Sequence, residues 1–266
     1  MLPIYDAITF ESRIMKGGRT RPIIVTIRNE EWKLKQYVVK LYSKNDVEQG
    51  LTVARDVLTV ALADEFDLLT PSPAYIRFSK AFLQTLSEDL QEEIKQKNAY
   101  LNFGCEYLPG VNNFGKNISK NTLEGLMGID TVFAFDNLVR NFDRRFTEKT
   151  NLLLLNHDIY LIDHEYCLSI ELEHIEDLET QNWRYFYQNH VFFPFLSSHS
   201  KQTKSDYFSD FEELLKRLNV NKINPYVLQL ERLNFPMPDI EILKIYLQHT
   251  KQNSYKFVTL LKGILQ

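Results

Sequence analysis

The chain has 266 residues, of which 44% are hydrophobic, 25% charged and 13% aromatic, and its formal net charge is −4. These values belong to a globular protein able to bury about 70–75% of its unfolded surface, and they exclude a collagen-like fibre, a coiled coil and a disordered tail. The acidic balance disfavours a mainly electrostatic nucleic-acid binder. Two cysteines, Cys105 and Cys167, are too few for a disulfide scaffold or a thiolate zinc site, and both lie in apolar runs that read as reduced core. The N-terminus lacks the basic and long apolar regions of a secretory signal. The longest aliphatic run, Leu152 to Leu155, is far short of the roughly 20 residues that span a bilayer. A cytoplasmic protein without membrane contact is expected.

Residues 1–108 read mainly as strands. Pro22 to Arg28 is β-branched, and Leu34 to Leu41 nearly alternates aliphatic residues with lysines, with Asn29-Glu30-Glu31 as the loop of a hairpin between them. Thr52 to Phe66 follows as a helix, with Val53, Val57, Leu58, Ala61 and Leu62 on one face, and Leu69-Thr-Pro-Ser-Pro73 ends it. Ala74 to Phe78 and Tyr100 to Leu108 are further strands, with an exposed helix over Ser87 to Lys97 between them. The texture changes at Pro109-Gly110-Val-Asn-Asn-Phe-Gly115, and a domain boundary is placed there. Beyond it, residues 109–266 are largely helical. Asn121-Thr-Leu-Glu124 has the form of a capping box, opening a helix that carries Leu123, Leu126, Met127, Val132, Phe133 and Leu138. Further helices are expected over Tyr207 to Leu218 and from Asp239 to the end. The fold class is therefore α+β in two lobes, a sheet with one helix followed by a helical half. A cleft between two lobes is a common nucleotide or substrate site.

The densest chemistry lies between Asp136 and Glu165. Leu152 to Asn156 and Ile159 to Asp163 are short apolar runs around His157-Asp158, which predicts a tight antiparallel hairpin. That pairing puts Asp163 nearly opposite Leu152 and brings the Asn151 amide beside the Asp163 carboxylate at the open end. Such an oxygen pair suits Mg²⁺, which takes hard oxygen ligands together with phosphate oxygens. Asp143 sits just upstream, in a loop after a helix. Helix, loop Asp, Asn, hairpin and second Asp is the order used by protein-kinase-like phosphotransferases, although Asp and Asn are also common turn and cap residues. In the first half, Lys40 lies in the apolar stretch Tyr37 to Tyr42 and suits either a solvent-facing position or phosphate binding. Asp56 stands early in the following helix, as a pairing partner for Lys40 or as a favourable N-terminal acid. Gly17 and Gly18, with Lys16, Arg19, Thr20 and Arg21 around them, fit a phosphate-covering loop or a simple turn.

Taken in order, Gly17 to Pro22, Val38-Val39-Lys40-Leu41, the helix with Asp56, Asn141-Phe142-Asp143-Arg144, Asn151-Leu152-Leu153 and Ile162-Asp163-His164 resemble the HipA-like kinase family, the smaller relatives of the bacterial HipA toxin kinases. The resemblance spans roughly residues 12 to 245. It implies a protein-kinase-like fold, ATP with Mg²⁺, and transfer of the γ-phosphoryl to a Ser or Thr hydroxyl of a protein. It implies Asp143 as catalytic base, Asn151 and Asp163 as metal ligands, Lys40 as phosphate-binding lysine and Asp56 as its partner. Gly17, Gly18, Arg19 and Thr20 would cover the phosphates. Glu106, Tyr107 and Leu108 would form the hinge that meets adenine through backbone groups. A cognate antitoxin or regulator is implied as a partner, and a bacterial source is expected. Three features depart from the family pattern: no additional Asn between Asp143 and the hairpin, Glu165 where Gly is usual, and the shorter Asp56 where Glu is usual. They keep a nucleotide-binding pseudokinase open, and the same fold also serves nucleotidyl transfer and small-molecule phosphorylation.

The six histidines show no zinc-ligand spacing, and no Gly-x-Ser-x-Gly elbow is present. His164 reads equally as a structural residue and as one made special by its neighbour Asp163. The aromatic stretch Trp183 to Phe195 reads as core, with a partner surface as the second reading. Glu171 to Glu179 reads as a solvated helix or loop.

Overall fold

The computed structural model describes residues 1–14, 20–97, 101–115, 118–146, 150–183 and 187–266. The chain forms two compact units. The first comprises Met1–Val57, Thr70–Pro109 and Asn224–Met237, and the second Leu58–Leu69, Gly110–Ile223 and Pro238–Gln266. One crossing therefore falls between Pro109 and Gly110, and another falls inside the helix Thr52–Asp64. Asn224–Met237 belongs to the first unit although the sequence pattern groups it with the helical half.

The first unit is built on a closed barrel of β1 (Ile4–Arg13), β2 (Ile23–Arg28), β3 (Leu34–Val39), β4 (Pro73–Arg77) and β5 (Asn102–Glu106), in the order β1-β2-β3-β5-β4. All pairings are antiparallel except β1 with β4, which closes the barrel in parallel. The β-branched run of β2 and the near-alternation of β3 have their cause in this closure: Ile23, Val25, Ile27, Tyr37 and Val39 fill the interior with Ala74 and Ile76. Gly104 sits in β5 between β3 and β4, where a Cβ would stand 3.1 Å from both the Val38 carbonyl oxygen and Ile76 Cγ1. The C-terminal segment of this unit is pinned by a reciprocal pair between Gln229 and the Leu2 backbone (2.8 and 2.7 Å) and by Tyr75 stacked on Phe235.

The second unit gathers around the helix Ile129–Leu138, which is buried on every residue except Asp130. Its buried polar members, Thr131, Asp136 and Asn137, must therefore find partners inside the unit. Phe66 stacks on Phe211 and packs against Phe135, Trp183 packs on Phe257 and donates to Asn137 Oδ1 at 2.9 Å, and the Tyr246 hydroxyl donates to the Leu138 carbonyl at 3.0 Å. Of the Trp183 to Phe195 aromatics, Trp183 and Phe192 are core, while Phe193 and Phe195 are half-buried. Tyr185 and Phe186 lie outside the described residues. A small sheet, β6 (Asn112–Asn113), β7 (Leu152–Leu155) and β8 (Asp158–Leu161), completes this unit.

Several expectations need correction. The cap at the start of the second half is Ser119, whose hydroxyl accepts from the Thr122 amide, and not Asn121. Its helix, Lys120–Glu124, is separate from Ile129–Leu138, because Gly128 takes a left-handed φ of 72° that stops any continuous helix. The last helix is likewise two, Ile240–Gln252 and Ser254–Ile264, broken at Asn253. Cys105 is half-buried rather than core, whereas Cys167 is buried. Asp177, inside the acidic run, is buried against Arg140 at 3.4 Å. Among the described residues no helix is long and apolar enough to cross a membrane.

Replacing Gly104 by Val would force branches into the Val38 carbonyl and Ile76, so a loss of about 1–3 kcal/mol of unfolding free energy is expected. Urea unfolding of Gly104→Val checks this, and an unchanged midpoint would contradict the packing described.

Candidate functional site

The hairpin differs from expectation by one residue. Its turn is Asn156-His157, and Leu155 pairs with Asp158, so Leu152 faces Leu161 rather than Asp163. Asn151 remains one residue from Asp163, because the Ile162 amide donates to the Asn151 carbonyl at 3.1 Å. Asn151 and Asp163 both leave their strands in the left-handed region, with φ of 52° and 61°. Asn and Asp enter that region more readily than other side-chain-bearing residues, so the two turns themselves favour these residue types.

Asp143 meets Asn151 directly. The Asn151 amide nitrogen donates to Asp143 Oδ2 at 2.9 Å, and Arg145 Nη2 donates to Asp143 Oδ1 at 2.8 Å. Asn151 is buried, while the Asp143 side chain keeps 17% of its surface exposed. Since its nitrogen is turned to Asp143, the Asn151 amide has its oxygen left for a cation.

This loop is held from beneath by Asp136, the last acid of the buried helix. Asp136 Oδ1 accepts from Asn141 Nδ2 at 2.9 Å, and Oδ2 accepts from Arg144 Nε and from His190 Nε2, the latter at 2.9 Å. The Asp136 carbonyl also accepts the Asn141 amide at 2.8 Å. Asn141 Oδ1 in turn accepts the Asp143 amide at 3.1 Å, and Arg144 Nη1 donates to the Asn151 carbonyl. One carboxylate thus fixes both Asp143 and Asn151 through intermediaries. Burial alone would raise the Asp136 carboxyl, but the Arg144 guanidinium and the His190 contact outweigh it and hold it at about 2. Burial, helped by the nearby Arg144 charge, lowers His190 despite the Asp136 contact, so the ring is neutral near pH 7. Its tautomer follows: Nε2–H donates to Asp136, and Nδ1 accepts the Phe192 amide at 3.1 Å.

In the first unit, Lys40 lies just past the end of β3, and its Nζ reaches both oxygens of Asp56, at 3.0 and 2.8 Å. The shorter acid therefore reaches the lysine, and the pair is largely buried. Glu106 and Tyr107 lie at and just beyond the end of β5. Their amides already donate to the Ser72 and Gln36 carbonyls, at 2.9 and 2.8 Å, and the Glu106 carboxylate pairs with Lys35 at 2.8 Å. Leu108 is half-buried just beyond β5, and among the described residues no backbone bond takes up its amide. Gly17, Gly18 and Arg19 lie outside the described residues, and Thr20 is a half-buried turn residue.

Sequence reasoning gave no role to Asp136, His190 or Tyr42. His190 was passed over because its partners are far away in sequence. The available signal for Asp136 was an acid flanked by the apolar run Val132 to Phe135, where burial demands partners.

The HipA-like kinase family matches residues 8–223 of the chain. The chain belongs to the HipA-like kinase family. Among solved structures, this HipA-like kinase is similar to CtkA, a proinflammatory kinase of Helicobacter pylori, with a TM-score of 0.50 and 15% identity over 99% of this chain and 98% of that chain. At that identity the likeness speaks for the fold alone. No curated protein matches it. Membership supports a kinase-like, phosphotransferase function for this HipA-like chain.

Because His190 is neutral when folded, protons bind the unfolded state preferentially below its ordinary value of 6.5, and stability falls as pH drops through that range. Asp136 adds a second loss as pH falls from 3.8 towards about 2. Urea midpoints from pH 8 to pH 3 are expected to decline in both windows, and His190→Gln removes its share of the upper one. An upper-window decline unchanged in His190→Gln would contradict the assignment.

Proposed function

We propose that the chain is an ATP-dependent kinase that transfers the γ-phosphoryl of Mg-ATP to a serine or threonine hydroxyl of a protein. The observation that carries this reading is the Asp143–Asn151 pair, held on a buried network in a member of a kinase family. Asp143 is accessible and anchored, as a group that accepts a hydroxyl proton must be. In the transfer, the bond from the γ-phosphorus to the β–γ bridging oxygen breaks and a bond to the acceptor oxygen forms. The acceptor proton passes to Asp143, and ADP leaves. Lys40, oriented by Asp56, supplies a fixed positive charge for the phosphates.

Asn151 and Asp163 would hold the magnesium. Their donors, an amide oxygen and a carboxylate, are the hard oxygen type that Mg²⁺ takes, and a two-ligand protein share with phosphate oxygens completing the shell is usual. Among the described residues no three of His, Cys, Asp and Glu gather as a metal cluster. The ion, when bound, neutralises phosphate charge. The expected partner is a protein acceptor, with a cognate regulator of the antitoxin type as a second.

The test is incubation of the purified protein with Mg²⁺ and ATP labelled at either the α or the γ position, with Asp143→Asn alongside. Label from γ on the chain or a generic acceptor, reduced at least about 100-fold in the variant, is expected. Label from α would replace the reading with nucleotidyl transfer. Binding of ATP without any label would replace it with a pseudokinase.

A further inference from the structure

Tyr42 lies two residues beyond Lys40 and is buried, at 1% exposure. Its hydroxyl donates to Asp56 Oδ2 at 2.7 Å, the same oxygen that Lys40 Nζ reaches at 2.8 Å. The Lys40 ammonium also stands 5.4 Å from the centre of the Tyr42 ring and 5.8 Å from that of Phe103. Two aromatic faces thus border the cation while the Tyr42 oxygen grips its counter-ion.

The physical need for a third member is clear. A lysine side chain has four torsions, and an ion pair with one carboxylate leaves much of that freedom in place. A buried carboxylate also needs further donors on its lone pairs, or its desolvation is not offset. The Tyr42 hydroxyl supplies such a donor and fixes the plane of the Asp56 carboxylate. The ring faces attract the ammonium without neutralising it, so its charge stays available to a polyanion.

We infer that Tyr42 is a positioning residue, whose hydroxyl and ring hold the Asp56–Lys40 pair in one geometry and thereby set the phosphate-binding lysine. The inference rests on the reading of Lys40 as a phosphate ligand, but the arrangement itself is testable without turnover.

The test uses the full chain and follows covalent labelling of Lys40 by pyridoxal phosphate and borohydride, mapped by peptide mass, with and without ATP. The forms compared are the wild type, Tyr42→Phe, and the protein carrying 3-fluorotyrosine at position 42, which keeps the shape and strengthens the donor. In folded Tyr42→Phe, Lys40 is expected to label about fivefold faster, and the ATP concentration giving half-protection is expected to rise about tenfold, the scale of one hydrogen bond to a charged group. Fluorotyrosine is expected to slow labelling, and it decides the matter if Tyr42→Phe does not fold. An unchanged Lys40 rate in either folded form overturns the inference. Failure of ATP to protect Lys40 in the wild type overturns the nucleotide reading instead, while the labelling rates still decide the role of Tyr42.

Discussion

A single carboxylate with no exposed surface organises the loop on which the candidate chemistry stands. Asp136 takes donors from Asn141, Arg144 and His190, and each of those residues passes its constraint on. Asn141 holds the Asp143 amide, and Arg144 holds the Asn151 carbonyl. His190 brings the following segment alongside, where the Phe146 amide donates to the Asn189 carbonyl and the Val191 amide to the Arg144 carbonyl. A buried ion pair is weak evidence for stability, because desolvation can exceed the Coulombic gain. Its value here is geometric: the carboxylate ties the adjoining 141–144 loop to the distant His190 segment, and the half-buried Asp143 sits on that loop.

The first unit repeats the same logic on a smaller scale. Lys40 is held by Asp56, and Asp56 in turn by Tyr42. In both units the group expected to touch substrate is bonded into a surrounding network. It is aimed by a buried acid that substrate never meets, the arrangement that preorganised electrostatic catalysis requires. Removing such an acid acts on chemistry and on stability together.

Much of this was legible in the residues. The β2 and β3 patterns, the helix with Asp56, the hairpin and the order Asp143, Asn151, Asp163 all follow local rules of periodicity and turn chemistry, and local rules hold where neighbours in sequence are neighbours in space. β1 left no such trace. Only Ala7 among its ten residues is buried and its register is irregular, so no alternation marks it. The hairpin turn was misplaced by one residue because Asn156, at φ 58°, takes the left-handed position that the apolar run alone would assign to a strand. Asp136 and His190 were out of reach for a different reason. They are separated by 54 residues, and their pairing is a product of tertiary packing around a buried helix rather than of any spacing.

The dependence of the Asp143 loop on Asp136 is most directly tested by a double-mutant cycle between Asp136→Asn and Arg144→Met, read as unfolding free energy in urea. The two side chains share one buried contact, so a coupling of about 1–3 kcal/mol is expected, each single change costing more than it does once the other is made. Strict additivity of the two substitutions, within about 0.5 kcal/mol, would contradict the claim that this carboxylate anchors the loop through Arg144.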